Sequence, residues 1–306
     1  MKKKITVKVP ATTANMGAGF DCIGMALNMY NKLTIEEADH FSIEIFGESG
    51  DINDTVTQEV LKSKKNIAYR AISYYYAKIG VHVPTLKLTM DNEILFARGL
   101  GSSSAAIVAG FAAANELNNR HFCNDVLIQM ATEIEGHPDN VAPALLGGLV
   151  ITATEFGKVC HTKLPICNDE LSFIAFISDI ESKTVDARGK LPNSYTKEDV
   201  VFNISRAVLF AASMVTKNWD NLRIAVDDKI HQPYRKDADF DSIKDLAYSL
   251  GAKAVFLSGA GSTIMAIVLR NHEQNFLKYI TPHLDTLEGT WRLRPLHMDK
   301  IGVVVE

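Results

Sequence analysis

The segment Gly99-Leu100-Gly101-Ser102-Ser103-Ser104 runs directly into the alanine-rich stretch Ala105–Leu117. Its two glycines let the backbone turn tightly and approach a ligand closely. A helix start offers unpaired N–H groups and the positive end of the helix dipole, so together they make an anion cradle suited to phosphate. The serine hydroxyls could cap the helix, bind phosphate or ligate Mg2+, a hard cation that takes oxygen ligands beside nucleotide phosphates. A plain tight turn closed by a serine N-cap would use the same residues with no ligand. A second glycine-rich segment, Ser258-Gly259-Ala260-Gly261-Ser262, lies near the C-terminal end, and Gly136-His137-Pro138-Asp139 interrupts a helical pattern.

Other phosphate-handling patterns are absent. No G-x-x-x-x-G-K-[ST] occurs, which excludes the common P-loop. No G-x-G-x-x-G opens a strand–helix unit, no H-R-D is followed by D-F-G, and no G-x-S-x-G elbow is present. The chain of 306 residues carries 36 acids against 32 Lys and Arg, a net charge of −4. That balance lacks the basic footprint of a nucleic-acid binder. Four cysteines (Cys22, Cys123, Cys160, Cys167) show no C-x-x-C spacing, so neither a cysteine zinc site nor a disulfide framework is indicated. A reducing cytoplasm fits that usage. The longest apolar run, Ala105–Ala114, has ten residues, short of the ~18 that suggest a membrane span.

The elements that must position these residues follow from periodicity. Lys3–Val9, Lys32–Glu37, Ser42–Phe46 and Thr85–Met90 alternate and predict strands. Asn66–Lys78, Ala105–Leu117, Asn124–Glu135 and Val141–Leu146 have helical spacing, and Leu149–Ala153 is a strand. In the second half, Lys158–Thr162, Leu171–Ile177, Lys253–Leu257, Thr263–Leu269 and Ile301–Val305 predict strands, and Val200–Val215, Phe240–Leu250 and His272–Ile280 predict helices. The order lacks the strict alternation of a doubly wound sheet, so the class is α+β. At about 150 residues per domain the length fits two, divided into 1–155 and 156–306.

The loop Leu95-Phe96-Ala97-Arg98-Gly99-Leu100-Gly101-Ser102-Ser103-Ser104-Ala105 resembles the phosphate loop P-x-x-x-G-L-G-S-S-A of the galactokinase, homoserine kinase, mevalonate kinase and phosphomevalonate kinase (GHMP) superfamily. Leu95 replaces the usual proline, and Ser104 stands where alanine is common; neither removes a glycine. Pro10–Asp21 resembles the N-terminal substrate motif and Leu257–Thr263 the C-terminal glycine-rich motif. Within the superfamily, N-x-G-x-G-F-D at Asn15–Asp21 and H-x-D-N-V-A-P at His137–Pro143 resemble the homoserine kinase branch. The resemblance spans essentially the whole chain. It implies an N-terminal domain like ribosomal protein S5 domain 2, a ferredoxin-like C-terminal domain, ATP and Mg2+ as cofactors, L-homoserine as substrate and a homodimer in the cytoplasm.

Residue by residue, the resemblance implies that Leu95–Ala105 holds the nucleotide. Asp21 takes the substrate ammonium and Asn15 orients the same end. Arg188 and Arg235 clamp the carboxylate, since guanidinium can bond it in a fork. His137 and Asn140 meet the substrate near its reacting end, and Asn140, Asp139 and Arg188 form the catalytic set. Some homoserine kinases carry a metal-binding glutamate at the position of Gln129. Here the nearest acids are Glu133 and Glu135, and Ser103 with Glu133 is the expected metal pair. Two readings stay beside this one: another GHMP small-molecule kinase, of mevalonate type, or a non-catalytic nucleotide-binding sensor, which Gln129 favours.

Overall fold

Strands β1 (Lys4–Ala14) and β2 (Ile23–Glu37) pair antiparallel and form the spine of the first sheet. The structure is a computed structural model that describes residues 3–48, 55–166, 169–179 and 184–306, so Cys167 lies outside the described residues. Both strands run longer than their alternating parts. β1 passes Pro10 at a register shift between Pro10 and Ala11, a place where a strand tolerates proline. β2 begins at Ile23, and most of its first half is buried, so no period-2 pattern marks it.

Strands β3 (Ser42–Gly47) and β4 (Leu86–Asn92) pair parallel, and β4 pairs antiparallel with β2. Between them lie α1 (Thr55–Leu61) and α2 (Ile67–Lys78). Then follow α3 (Ser102–Leu117), α4 (Asn124–Glu135), α5 (Pro138–Leu146), β5 (Leu149–Glu155) and β6 (Lys158–Lys163). β5 joins β2 and carries β6 outside it. Sheet membership therefore runs past residue 155. The C-terminal strand β11 (Val304–Val305) also returns to this sheet, against β1. It is shorter than the predicted Ile301–Val305, because the Asp299 carboxylate takes the Ile301 and Gly302 N–H groups in a turn.

The second layer begins with β7 (Leu171–Ser178), α6 (Thr184–Gly189) and α7 (Lys197–Thr216). The short helices α8 (Leu222–Ala225) and α9 (Gln232–Arg235) lead to α10 (Phe240–Ser249). It ends with β8 (Ala254–Leu257), β9 (Ile264–Leu269), α11 (Glu273–Ile280) and β10 (Trp291–Leu296). These strands form an antiparallel sheet in the order β10-β7-β9-β8. With α10 and α11 this is the βαββαβ order of a ferredoxin-like unit. The two-layer α+β class is the one the resemblance implies. β10 is not among the predicted strands: Trp291-Arg292-Leu293-Arg294 alternates, but the run is short and Pro295 argues against a strand, and as an edge strand it accommodates that proline.

All eight residues of β7 are buried, and they divide by parity. Phe173, Ala175 and Ile177 join the core of the first layer, whereas Ile174 and Phe176 pack with Ile243, Phe276 and Ile280 under α10 and α11. Period-2 alternation thus puts one sheet in contact with both cores. α7 is long and apolar enough to cross a membrane by length and composition, but Phe210 and Met214 are buried in the first core.

Helix α2 starts at Asn66, whose side chain accepts from the Ala68 N–H at 2.9 Å and donates to the Leu61 carbonyl at 2.7 Å. Asn66→Ala removes both bonds from a buried position. It is expected to lower stability by about 1–2 kcal/mol, read as a fall in the urea midpoint at unchanged slope.

Candidate active site

Helix α3 begins at Gly101, which sits at φ 70° with no side-chain cap. The serine N-cap that the sequence allowed is not used. The first helical bond is Ala105 N–H to Gly101 C=O at 2.9 Å, so the N–H groups of Ser102, Ser103 and Ser104 precede the helical ladder. A Cβ on Gly101 would lie 1.9 Å from Thr12 Oγ1, and one on Gly99 would lie 2.2 Å from the Ser258 carbonyl. Glycine is therefore required at both positions by positive φ and by close approach. The second glycine segment meets the loop here. Ser258 Oγ donates to Gly99 C=O at 2.6 Å, and Thr263 N–H donates to Arg98 C=O at 3.2 Å.

The two segments face each other across a cleft of about 90 Å3. Ala97, Arg98, Gly99, Gly101, Ser102 and Ser103 line it from the loop, and Gly259 and Ala260 from the facing segment. Leu100, Ser104 and Ala105 are buried behind the loop, and Leu95 packs on the core; Phe96 lends its carbonyl to Arg98 Nη1 at 3.1 Å. Asn15, Asp21, His137, Asp139, Asn140, Arg188 and Arg235 also line the cleft. Residues spread over 245 positions of sequence are thus brought to one place.

Glu133 is not among them. Its carboxylate takes the Tyr74 hydroxyl and the Lys78 ammonium on the outer side of α4, and the Tyr74 bond holds its pKa below the usual value. Two positions on, at 100° per residue, Glu135 faces the other way. It accepts from Ser103 Oγ at 2.8 Å and Ser104 Oγ at 2.7 Å. Helix geometry thus places Glu135, and not the expected Glu133, beside Ser103. Gln129 ties α4 to the β5–β6 turn, donating to Gly157 C=O at 2.7 Å and accepting from Val159 N–H at 2.9 Å. Ser103 and Glu135 offer oxygen atoms only, the donor chemistry of a hard divalent cation. Asp21, His137 and Asp139 also converge, but they are engaged with one another and with Arg188, as follows.

Asp21 and Arg188 form a fork, with Nη1 to Oδ2 at 2.9 Å and Nη2 to Oδ1 at 2.8 Å. The two residues expected to hold opposite ends of a substrate are each other's partners. Arg235 is nearly buried and its Nε donates to Ala187 C=O at 3.3 Å. Burial, then the neighbouring Arg188 charge, pulls its pKa down. Asn15 uses both ends of its amide: Oδ1 accepts from Asp21 N–H at 3.0 Å and Nδ2 donates to Gly259 C=O at 2.7 Å. Both Asn15 and Asp21 lie at positive φ, which Asn and Asp tolerate better than most residues.

His137 precedes α5, and its Nδ1 is hydrogen-bonded to the Asp139 carboxylate. Burial pulls the imidazole down, but the Asp139 bond and charge outweigh it and raise its pKa. Thr12 Oγ1 donates to Asn140 Oδ1 at 2.7 Å, which leaves the Asn140 amide N–H groups as its free functionality; one reaches Asp139 Oδ1 at 3.4 Å. Thr12 and Ser258 had no assigned role in sequence, though both lie inside recognisable motifs, and Glu135 stood there only as the alternative acid to Glu133.

The descriptions of the GHMP kinases N-terminal domain and the GHMP kinases C-terminal domain match residues 66–148 and 210–281. The chain is 40% identical to a homoserine kinase of Caldicellulosiruptor saccharolyticus, covering 98% of this chain and 96% of that one. It is 38% identical to a homoserine kinase of Clostridium botulinum over 98% of each. The crystal structure of homoserine kinase from Cytophaga hutchinsonii superposes with a TM-score of 0.86 at 26% identity, covering 100% of this chain and 98% of the other.

His231 lies beneath the cleft, fully buried, with Nε2 donating to Gly17 C=O at 2.8 Å and Nδ1 unbonded. Burial holds its pKa below 6.5. The folded chain keeps this imidazole neutral while the unfolded chain can protonate it. The stabilisation is therefore full above about pH 6.5 and is lost as pH falls toward the depressed value. The melting temperature should drop between pH 7 and pH 5, and less steeply in His231→Gln.

Proposed function

The chain belongs to the GHMP kinase family, in its homoserine kinase branch, and from that membership we infer a phosphoryl transfer from ATP to the hydroxyl of L-homoserine. The enzyme is an ATP-dependent small-molecule kinase, and its product, O-phospho-L-homoserine, lies on the way to threonine. The observation that carries the finer reading is one cleft with phosphate-binding chemistry at one end and a carboxylate with two guanidiniums at the other. The N–H groups at the start of α3 and the backbone of Gly259 and Ala260 receive the phosphates. Ser103 and Glu135 would hold Mg2+, which supplies positive charge to the phosphates.

At the other end the substrate ammonium takes Asp21, and its carboxylate takes Arg188 and Arg235. The internal fork is exchanged for an ammonium–carboxylate pair at Asp21 and a guanidinium–carboxylate contact at Arg188 and Arg235. Asn140 donates to the reacting hydroxyl, since Thr12 occupies its carbonyl oxygen. Asp139, bonded to His137, backs the same amide. The hydroxyl oxygen attacks the γ-phosphorus in line, the bond to the β,γ-bridging oxygen breaks, ADP departs, and the hydroxyl proton is released to solvent by way of a phosphoryl oxygen. Positioning and charge stabilisation carry most of such a transfer. The oxygen donors of Ser103 and Glu135 in this cleft favour this reading over a sensor.

We place the enzyme in the cytoplasm, with neither nucleic acid nor membrane as partner; its three described cysteines, Cys22, Cys123 and Cys160, are free thiols. A homodimer is supported by α7, which exposes Val201, Ile204, Val208 and Val215 along one stripe. Two such helices packed antiparallel about Val208 would set Glu198 and Asp199 of one copy against Lys217 of the other. Val208→Lys should then yield monomers in sedimentation.

An ADP-release assay comparing L-homoserine, mevalonate, galactose, L-serine and L-threonine tests the function, with rapid turnover expected for homoserine alone. Asp21→Asn should raise KM for homoserine at least tenfold and leave KM for ATP unchanged. Glu135→Gln should lower kcat by about 10²-fold and raise the Mg2+ needed, while Glu133→Gln should change kcat less than about twofold. Turnover with mevalonate, unaffected by Asp21→Asn, would refute the amino acid clamp.

A further inference from the structure

Two guanidiniums meant for one carboxylate repel each other until that carboxylate arrives. Arg188 and Arg235 both converge on the ring of Phe20, with Cζ at 5.7 Å and 5.1 Å from its centroid. The face of a phenyl ring attracts cations, and most strongly where water is excluded. Arg235 is nearly buried, so the contact is made largely out of water. His231 also stacks on this ring, at 5.3 Å and 25°. Its Nε2 proton is given to Gly17 and burial favours its neutral form, so no third cation competes for the ring. His231 is itself fixed by Asp228, whose carboxylate accepts the N–H groups of Ile230, His231 and Gln232.

Phe20 and Asp21 are adjacent in sequence, and both reach Arg188, one with a π face and one with a carboxylate. Their roles separate when substrate binds. On the reading that the substrate ammonium takes Asp21, Arg188 loses its counter-ion from the protein, while the ring contact is untouched. We propose that Phe20 is a positioning residue for substrate binding: its ring holds the Arg188 and Arg235 guanidiniums side by side for one carboxylate while Asp21 changes partner. It acts through the two arginines and does not touch the transferred phosphoryl group. This inference rests on the arginine clamp assigned above.

Steady-state kinetics of the full chain test it, with Phe20→Leu, Phe20→Met and Phe20→Tyr beside Arg188→Ala and Arg235→Ala. Loss of the ring in Phe20→Leu should raise KM for homoserine about tenfold, with KM for ATP unchanged and kcat altered less than about threefold. Phe20→Met keeps an unbranched side chain of similar reach without a π face and should behave likewise, which serves if the leucine variant does not fold. Phe20→Tyr restores the ring and should restore KM to within about twofold of the parent. An unchanged homoserine KM in both non-aromatic variants would overturn the proposal if the arginine variants still raise it. So would a tyrosine variant as impaired as the leucine one, which would assign the effect to packing. Arginine variants that leave homoserine KM unchanged would overturn the clamp and this inference together.

Discussion

The structure depends on a backbone-to-backbone approach between two glycine-rich loops from different layers. Ser258 Oγ reaches Gly99 C=O at 2.6 Å and is hydrogen-bonded to the Thr13 hydroxyl at 2.8 Å. Gly259 N–H donates to Ala14 C=O at 3.0 Å, and Asn15 Nδ2 returns to Gly259 C=O. Three segments of chain are thereby joined, with the Ser258 hydroxyl as the small side chain between the two loops. The start of α3 can face a cleft only because nothing larger than hydrogen stands at Gly99 and Gly101. The Asp21 turn is braced by the same Asn15 that holds Gly259. The loop end and the charged end of the cleft are therefore parts of one hydrogen-bonded frame.

That frame would be of little use on two layers free to move. β7 removes much of the freedom, since its alternate side chains belong to different cores. A displacement of the second sheet has to unpack Phe173 and Ile177 from the first layer as well. Close-packed interiors resist such sliding. Arg98 adds a polar tie across the same junction, from the phosphate loop to the Asp179 carbonyl at 2.7 Å. Local precision at the loops and rigidity between the layers have separate causes.

Local patterns were legible in sequence wherever one residue reports one environment. Asn124–Glu135 matches its helix end to end, and Gly136 at φ 93° is the stop the sequence indicates. The glycine–serine loop was legible because its backbone demands leave few residue types. What escaped depends on orientation or on partners distant in sequence. Glu133 and Glu135 have equal claims by type, and only the rotation along α4 separates them. The first half of β2 is buried on both sides and loses its alternation. The Asp21–Arg188 fork joins positions 167 residues apart, and no motif writes down that two residues assigned to a substrate are also assigned to each other.

On the proposed amino acid clamp, that fork makes the site choosy about the whole charge pattern of its ligand. A molecule with a carboxylate alone draws Arg188 away and leaves Asp21 facing the cleft without a cation. A simple amine has the reverse effect and strands a guanidinium beside Arg235. Unpaired charge in a partly desolvated cleft is costly, so each single-charge competitor meets a penalty its one good contact must overcome. Only a zwitterion with its charges at the right separation satisfies every partner at once. If these residues clamp the substrate as proposed, rejection of deaminated and decarboxylated look-alikes follows from the fork itself, before any contact with the rest of the substrate is made.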